Sequence, residues 1–118
     1  MGGHIRTGKT GEQLAVAFFE AAGYDILHTN WRFKHWEIDI IARKAATIHF
    51  IEVKTRRSAK YGHPEEAVTT AKIRYLLNAA EQYLFLHPEK NLVQFDVLAI
   101  TFNTNNQPDY FLLEDVYL

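Results

Sequence analysis

The stretch Glu37-Ile-Asp-Ile-Ile-Ala-Arg-Lys-Ala-Ala-Thr-Ile-His-Phe-Ile-Glu-Val-Lys54 decides the fold that we predict for this chain. Its two runs at 37–42 and 47–54 are rich in β-branched residues and flank a short turn, which predicts neighbouring antiparallel strands. Alternation in the first run places Ile38 and Ile40 on one face. The second run is apolar on both of its faces, which is typical of a central strand in a sheet that is covered on both sides.

Helices and further strands are predicted on either side of this pair. Thr10 and Gln13 fit a capping box, and apolar residues at helical spacing follow until Gly23. Pro64 suits the first turn of a second helix, whose apolar spacing continues to His87. The order is therefore α-β-β-β-α-β-β, an α/β fold. The predicted bounds are a helix at 11–22, a strand at 24–28, a strand or hairpin arm at 30–36, strands at 37–42 and 47–54, a helix at 64–87, and strands at 95–101 and 110–117.

The composition is that of one globular domain. The chain has 118 residues, which is too short for two independent cores. Of these residues 47% are hydrophobic, which is too large a fraction for a disordered chain. We therefore treat residues 1–118 as one domain, with residues 1–9 as a flexible arm. The lack of cysteine excludes disulfides, thiol nucleophiles and cysteine-ligated zinc. No apolar run reaches the ~20 residues of a membrane span and no secretory signal is recognisable, so the expected location is the cytoplasm.

Charge is distributed unevenly along the chain, although the net charge is −1. Residues 1–60 contain 10 lysines and arginines against 6 acids, whereas residues 61–118 contain 3 against 8. A basic half can face an anionic polymer such as nucleic acid. Chance variation of charge in a short chain explains the same asymmetry equally well, so both interpretations stay open.

A phosphate-loop pattern, G-x-x-x-x-G-K-[ST], is present at residues 3–10 but lacks its structural context. Such a loop binds phosphate because a buried strand leads into it and a helix follows. Here only Met1 and Gly2 precede the pattern. We therefore expect an N-terminal arm that leads into the first helix, and no ATP or GTP site.

Two acids and a lysine form the pattern D-x12-E-x-K across the strand pair. Asp39 lies in the first strand, and Glu52 and Lys54 share one face of the second because they are two residues apart. Neighbouring strands are ~4.8 Å apart, so the two carboxylates can meet at one end of the sheet. Carboxylates suit Mg²⁺, with the carbonyl of Val53 as a further oxygen, and a lysine beside such a site can orient water or offset charge on a phosphodiester. An exposed Glu-x-Lys salt bridge is the ordinary alternative.

Basic residues follow the second strand directly. Arg56, Arg57 and Lys60 lie in a glycine-containing loop at 55–63, next to the acidic cluster. A basic loop beside a metal site fits the binding of a phosphate backbone. Lys72 on the second helix is a further candidate for the same groove, although a solvated lysine is the ordinary outcome at such a position.

These motifs resemble those of the small bacterial YraN-like family. The resemblance covers about residues 8–116 and is most specific in Glu37-Ile-Asp39 and in Phe50-Ile-Glu-Val-Lys-Thr-Arg56. It extends to Gly11, Glu12, Gly23, Tyr24, Asn30, Gly62, Pro64, Lys72, Ala80, Tyr83, Leu84, Phe95 and Asp96. The family is similar to archaeal Holliday-junction resolvases and belongs to the restriction-endonuclease-like superfamily with the PD-(D/E)xK motif. The resemblance implies a restriction-endonuclease-like core, α-β-β-β-α-β, with a mixed central sheet flanked by helices.

The resemblance also implies roles for individual residues. Asp39 and Glu52 resemble the metal-binding acids of the superfamily, and Lys54 resembles its catalytic lysine. Glu12 resembles an extra acid on the first helix of some resolvase-like members, with stabilisation of a helix N-terminus as the alternative. Glu37 is expected to point the same way as Asp39 and to serve as an alternate ligand or to support one.

Two positions depart from the family pattern. Trp36 replaces the usual glycine before Glu-Ile-Asp, where it would either crowd the approach to the site or stack on a base. Gln94 replaces an arginine before Phe-Asp, which would weaken one phosphate contact. Neither departure removes a predicted ligand.

The sequence therefore predicts a nucleic-acid-binding protein that is a Mg²⁺- or Mn²⁺-dependent endonuclease and hydrolyses DNA phosphodiester bonds, with branched or damaged DNA as candidate substrates. A non-catalytic nucleic-acid-binding module with the same fold is the first alternative. A domain that binds a basic protein partner through its acidic second half is the other. No membrane is expected to be involved, and a homodimer is left open.

Overall fold

The computed structural model describes residues 7–57 and 68–116, with side chains from residue 10 onwards. Over these ranges the chain forms two helices and five strands: α1 (Thr7–Ala21), β1 (Asp25–Phe33), β2 (Trp36–Lys44), β3 (Thr47–Arg56), α2 (Thr70–Leu86), β4 (Leu92–Phe102) and β5 (Pro108–Leu113). The predicted order α-β-β-β-α-β-β is confirmed. Neither of these two helices is long and apolar enough to cross a membrane.

The strands form one mixed sheet in the order β1-β2-β3-β4-β5. The first three are an antiparallel meander, β4 runs parallel to β3 after the α2 crossover, and β5 returns antiparallel to β4. The strand β3 is therefore central, as its apolar residues on both faces predicted. Because β2 and β3 are antiparallel, the start of β2 and the carboxyl end of β3 lie at the same end of the sheet.

Each helix covers one face of the sheet with its own core. Phe19 of α1 belongs to a buried cluster with Ile51 and Leu98, whereas Tyr83 of α2 belongs to a second cluster with Phe50. Successive residues of β3 therefore enter different cores. Burial of a large apolar side chain stabilises the fold by about 1.5–3 kcal/mol, and both faces of β3 contribute in this way.

The prediction that Ile38 and Ile40 share a face is wrong. Ile38 lies in the core under α2 together with Ile41, whereas Ile40 lies in the core under α1 together with Ala42. The alternation of β2 breaks at Asp39, where its ladder with β3 stops. Without that ladder, the first residues of β2 are not held to the pleat of β3.

Helix α1 begins before its predicted start. It includes the backbone of residues 7–9, which were predicted as part of a flexible arm, and residues 1–6 lie outside the described ranges. Thr10 is thus inside the helix and does not cap it, and its buried hydroxyl has no hydrogen-bond partner among the described residues. Packing on the sheet, more than the local capping pattern, determines how far this helix extends.

Other predicted boundaries also differ from the structure: β4 begins at Leu92, before residue 95, and β5 ends at Leu113, before residue 117. The segments at 24–28 and 30–36 form the single strand β1, in which a register shift between Ile26 and His28 is absorbed by a bulge. Pro108, which was predicted in a turn, is the first residue of β5. Proline is tolerated there because the first residue of an edge strand does not have to donate an N–H to the neighbouring strand. Helix α2 begins at Thr70 after its extended N-cap Thr69, so the predicted continuous helix over 64–87 is wrong at residues 68 and 69, and its predicted start at Pro64 lies outside the described residues.

Candidate active site

The carboxylate of Asp39 takes the place of a main-chain partner where β2 and β3 separate. The antiparallel ladder runs as far as the pair Ile40–Ile51. One residue further, Asp39 Oδ2 accepts the N–H of Val53 at 2.8 Å. The bond satisfies an amide at the end of the ladder and fixes the acid against β3.

Asp39 is surrounded by negative charge. Its side chain is half-buried, and burial raises the pKa of the carboxyl, with the charges of Glu52 and Glu12 adding to the increase. The N–H of Val53 and the ammonium of Lys54 lower the pKa but do not cancel the effect. Acids from α1, β2 and β3 thus act on one position, which favours the binding of a proton or a cation there.

Helix α1 brings Glu12 to this position through a close contact with β3. A Cβ atom on Gly11 would collide with Thr55 Cγ2, so glycine permits the approach. Glu12 Oε2 accepts a bond from the side-chain amide of Asn30 at 3.2 Å. The acid borders a cavity of about 320 Å³ that it shares with Asp39. The other residues around this cavity are Gln13, Val16, Thr29, Asn30 and Ile40.

Glu52 and Lys54 extend from β3 beside α2. Lys54 Nζ lies 3.7 Å from Glu52 Oε2. The first turn of α2 adds Lys72, whose ammonium is close enough to Lys54 and Glu52 to feel their charges. Burial lowers the pKa of Lys72, and Lys54 lowers it further, against the opposing charge of Glu52. Two lysines and a glutamate therefore lie together on the α2 side of β3, and of these Glu52 and Lys54 act on Asp39.

Local sequence explains why Lys72 lies there. The hydroxyl of Thr69 accepts the N–H of Lys72 at 3.2 Å and so caps α2. This cap fixes where the helix begins and places Lys72 in its first turn. The prediction that Lys72 faces the groove of the acids agrees with this position, while its contact with nucleic acid stays a prediction.

Arg56 and Arg57 follow the acids at the end of β3. Arg56 Nε donates to Thr101 Oγ1 of β4 at 3.3 Å, which holds this side chain across the neighbouring strand. Arg57 is exposed. Lys60 lies outside the described residues, and its contact with nucleic acid stays a prediction.

Glu37 is directed to a different partner from the other acids. Its carboxylate pairs with Arg32 Nε at 2.6 Å on the hairpin between β1 and β2. It is absent from the groups that shift the pKa of Asp39. Its use as an alternate ligand stays a prediction, as does the use of the Val53 carbonyl, since the structure shows only the N–H of Val53 engaged.

Carboxylates are the ligands that a hard divalent cation takes, and a cation at this end of the sheet stays a prediction. In the part of the chain that the structure describes, no three side chains of the types His, Cys, Asp and Glu are close enough to hold an ion together. Asp39 and Glu52 supply two carboxylates, and protein-bound Mg²⁺ commonly uses one or two, with water and substrate oxygens in the remaining positions. A cation there would offset the burial of Asp39 and its repulsion by Glu52 and Glu12, which together raise the pKa of this carboxyl.

Sequence reasoning missed Tyr75, which fixes the hairpin next to the site. Its hydroxyl accepts the N–H of Glu37 at 2.9 Å and donates to the carbonyl of His35 at 3.1 Å. Tyr75 lies three residues after Lys72 on α2. This spacing places both side chains on one side of the helix and was a signal available in the sequence.

A buried polar pair at the other end of the sheet was also missed. His49 Nδ1 lies 2.7 Å from Asp96 Oδ2, and Asp96 is fully buried. Gln94 and the N–H of Asp115 both donate to Asp96 Oδ1, at 3.0 and 2.9 Å. The side chain of Gln94 therefore binds the buried Asp96. Replacement of the family's arginine by glutamine at this position changes the surroundings of the His49–Asp96 pair. The signal was an aspartate inside the apolar run of β4.

Comparisons with known proteins agree with the family resemblance. Residues 11–100 match the model of the family described as Uncharacterised protein family UPF0102. A UPF0102 protein of Caldicellulosiruptor saccharolyticus is 46% identical over 101 residues, which cover 85% of this chain and 86% of that protein. Another, from Chlorobium phaeobacteroides, is 46% identical over 108 residues, covering 91% and 85%. A third, from Chloroherpeton thalassium, is 40% identical and covers 99% of this chain and 97% of its own length.

Proposed function

The chain belongs to the UPF0102 (YraN-like) family, and from this starting point we propose that it is a metal-dependent endonuclease that hydrolyses phosphodiester bonds in DNA, with branched or damaged DNA as candidate substrates. The observation that carries the proposal is the hydrogen bond to Asp39 from the N–H of Val53, the residue between Glu52 and Lys54, at the point where β2 and β3 separate, with the charges of Glu52 and Lys54 acting on Asp39. Two acids and a lysine at a strand end are costly to bury unless they bind a cation or pair with each other. Lys54 lies 3.7 Å from Glu52, whereas Asp39 keeps a raised pKa, which favours a cation beside it.

We further assign the domain to the restriction-endonuclease-like fold. The order α1-β1-β2-β3-α2-β4 and the mixed sheet covered by a helix on each face support this assignment. In that fold, Asp39 and Glu52 correspond to the acids of the PD-(D/E)xK motif and Lys54 to its lysine.

Each residue has a defined part in the proposed hydrolysis. Asp39 and Glu52 would hold Mg²⁺ or Mn²⁺, which when bound lowers the pKa of a coordinated water and offsets charge on the phosphate. Lys54 orients the attacking water or neutralises the charge that develops on the phosphate oxygens. Lys72, beside Lys54, adds positive charge for the phosphate on the α2 side. Water adds to phosphorus, the bond from phosphorus to one sugar oxygen breaks, and that oxygen takes up a proton.

One observation favours a second candidate, a nucleic-acid-binding module that does not cut. No third metal-binding side chain joins Asp39 and Glu52 among the described residues. In that case the phosphates would be bound by Lys54, Lys72 and Arg57 and would not be hydrolysed. The acids would only modify the affinity for nucleic acid.

Cleavage of labelled DNA decides between the two candidates. Branched, flapped, duplex and single-stranded DNA, with matching RNA, are incubated with Mg²⁺ or Mn²⁺ and the wild type, Asp39→Asn, Glu52→Gln or Lys54→Ala. Loss of a metal ligand should lower cleavage by more than the ~10- to 100-fold typical of residues that only support a ligand. Glu20→Gln is the matched control, because it makes the same substitution as Glu52→Gln at an exposed acid of α1.

DNA binding measured in EDTA separates a loss of cleavage from a loss of binding. The Asp39→Asn and Glu52→Gln variants should bind DNA at least as tightly as the wild type, because each removes a negative charge that faces phosphate. Wild-type protein that binds DNA but cuts none of these substrates would favour the non-catalytic module. Undiminished cleavage by Asp39→Asn would show that the assigned site is wrong.

A further inference from the structure

Three aromatic rings form a column at the tip of the β1–β2 hairpin. The ring of Trp36 contacts those of Tyr75 and His35, with centroid separations of 5.0 and 4.3 Å and ring planes tilted by 52° and 38°. Tyr75 and Trp36 are half-buried, whereas His35 is exposed. The column therefore begins at α2 and ends in solvent with the imidazole of His35.

The tip is held in place before any ligand binds. The hydroxyl of Tyr75 bonds to the main chain on both sides of Trp36, at the carbonyl of His35 and the N–H of Glu37. Lys34, which precedes them, has a positive φ of 57°, so the turn is tight. A surface that is already ordered loses little conformational entropy when it binds, which favours its use in recognition.

The column is adjacent to the candidate active site. Tyr75 is one helical turn from Lys72, a separation of about 5–6 Å between Cβ atoms. Trp36 is three residues before Asp39 on β2, about 10 Å along a strand. A nucleotide whose phosphate is bound at Lys54 and Lys72 can therefore bring a neighbouring base to the column.

Charge at the tip suits a polyanion. Arg32 and Lys34 are exposed, and Lys34 Nζ lies 5.3 Å from the centre of the Phe33 ring. Glu37 offsets the charge of Arg32, so the unpaired cation of the tip is Lys34 among the described side chains. A basic residue beside a stacking surface is the usual composition of sites for unpaired nucleotides.

We propose that the Tyr75–Trp36–His35 column is a stacking platform for an unpaired nucleobase next to the phosphodiester bond that is cut. The inference rests on the proposed function and specifies its substrate class: nucleic acid with an unpaired nucleotide at the site of cleavage, such as a flap or a single strand. In a continuous duplex the bases are stacked on one another, and the platform stays empty.

Binding in EDTA tests the platform separately from catalysis. The probes are a fluorescently labelled duplex, the same duplex with a single-stranded flap, and the flap strand alone. The variants His35→Ala and Trp36→Leu should each lower affinity for the flap and the single strand by about 5- to 100-fold, the range found for one base–aromatic stack. Their affinity for the duplex should be unchanged.

Phe85→Ala and Lys90→Ala are the controls. Phe85 is an exposed aromatic residue (83%) near the end of α2, and Lys90 is an exposed lysine before β4, so both lie away from the tip. They should bind all three probes as the wild type does. His35→Ala removes only an exposed ring and keeps the experiment informative if Trp36→Leu lowers stability.

Two results would overturn the platform. One is an equal loss of affinity for duplex and unpaired probes in His35→Ala, which would indicate a backbone contact. The other is no loss for any probe, including the case in which Trp36→Leu improves cleavage because the ring obstructs the site. A wild type that prefers unpaired probes but never cleaves them would contradict the proposed enzyme and leave the platform supported.

Discussion

At the residue scale, Asp39 has the most unusual environment of the predicted site residues. Burial and the charges of Glu52 and Glu12 raise its pKa in the folded protein. The folded state then holds the proton more tightly than the unfolded chain. Stability is unaffected below the ordinary aspartate pKa, decreases as pH rises through the raised folded value, and stays reduced above it.

The variant Asp39→Asn should therefore raise the Tm of the metal-free protein near neutral pH. The difference from the wild type should shrink as the pH falls and vanish below about 3.9, the ordinary pKa of aspartate. The amide oxygen of asparagine can still accept the N–H of Val53, so this bond is kept. Thermal unfolding in EDTA across this pH range measures the effect.

Two comparisons make this result specific. Glu20→Gln, which neutralises an exposed acid on α1, should have no such effect. Mg²⁺ should raise the Tm of the wild type and not that of Asp39→Asn, since binding to the folded state alone stabilises it. A variant with a lower Tm than the wild type near neutral pH would contradict the environment assigned to Asp39.

At the scale of elements, the contact between α1 and β3 decides where Glu12 lies. Gly11 is inside a helix, where alanine is normally more stable by up to ~1 kcal/mol. Its Cβ position is occupied by the Thr55 side chain, which follows Lys54 directly. A change at Gly11 therefore acts on the helix and on the strand that holds Lys54.

We expect Gly11→Ala to destabilise the protein by about 1–3 kcal/mol, as overpacking of a close contact does. Thr55→Ser removes the methyl group that a new Cβ would meet, so Gly11→Ala combined with Thr55→Ser should recover most of this loss. Chemical unfolding of the wild type, both single variants and the double variant measures the coupling. A single Gly11→Ala variant more stable than the wild type would show that the helix and strand are further apart.

The pattern of the central strands could be read from the sequence, because it depends on local residue types. Residues of β3 are apolar on both faces, and this indicated a central strand covered by helices on both sides. The spacing of Asp39, Glu52 and Lys54 likewise follows from two antiparallel strands joined by a short turn. These features need no knowledge of distant parts of the chain.

Features that depend on packing between distant segments could not be read in this way. Ile38 and Ile40 enter different cores because the ladder of β2 ends at Asp39, and nothing in the alternation of apolar residues records that end. Thr10 matches a cap pattern but lies inside α1 because the helix extends by packing. The spacing of Tyr75 from Lys72 indicates a shared helix face, but not that Tyr75 binds a hairpin 38 residues away in sequence.

At the scale of the whole molecule, both helices begin at the end of the sheet that carries the candidate site. Gly11 of α1 packs on Thr55, and Lys72 in the first turn of α2 lies beside Lys54. The positive ends of the two helix dipoles are thus directed toward this end, where they favour anions. The opposite end is held by the buried pair of His49 and Asp96, which joins the parallel strands β3 and β4.

Because the candidate site lies at one end of the sheet, we expect basic residues at that end to contact a phosphate backbone. Arg57 is exposed directly after β3, whereas Lys90 is exposed at the opposite end of the sheet. Each lost phosphate contact reduces the slope of log affinity against log salt by about one. Arg57→Ala should reduce the slope of DNA binding by this amount, and Lys90→Ala, with the same change of charge, should leave it unchanged.

Titrations at several salt concentrations in EDTA give the slopes. Equal slopes for the wild type and Arg57→Ala would remove this residue from the interface, and equal reductions in both variants would mean that net charge alone, without a defined binding end, governs the interaction.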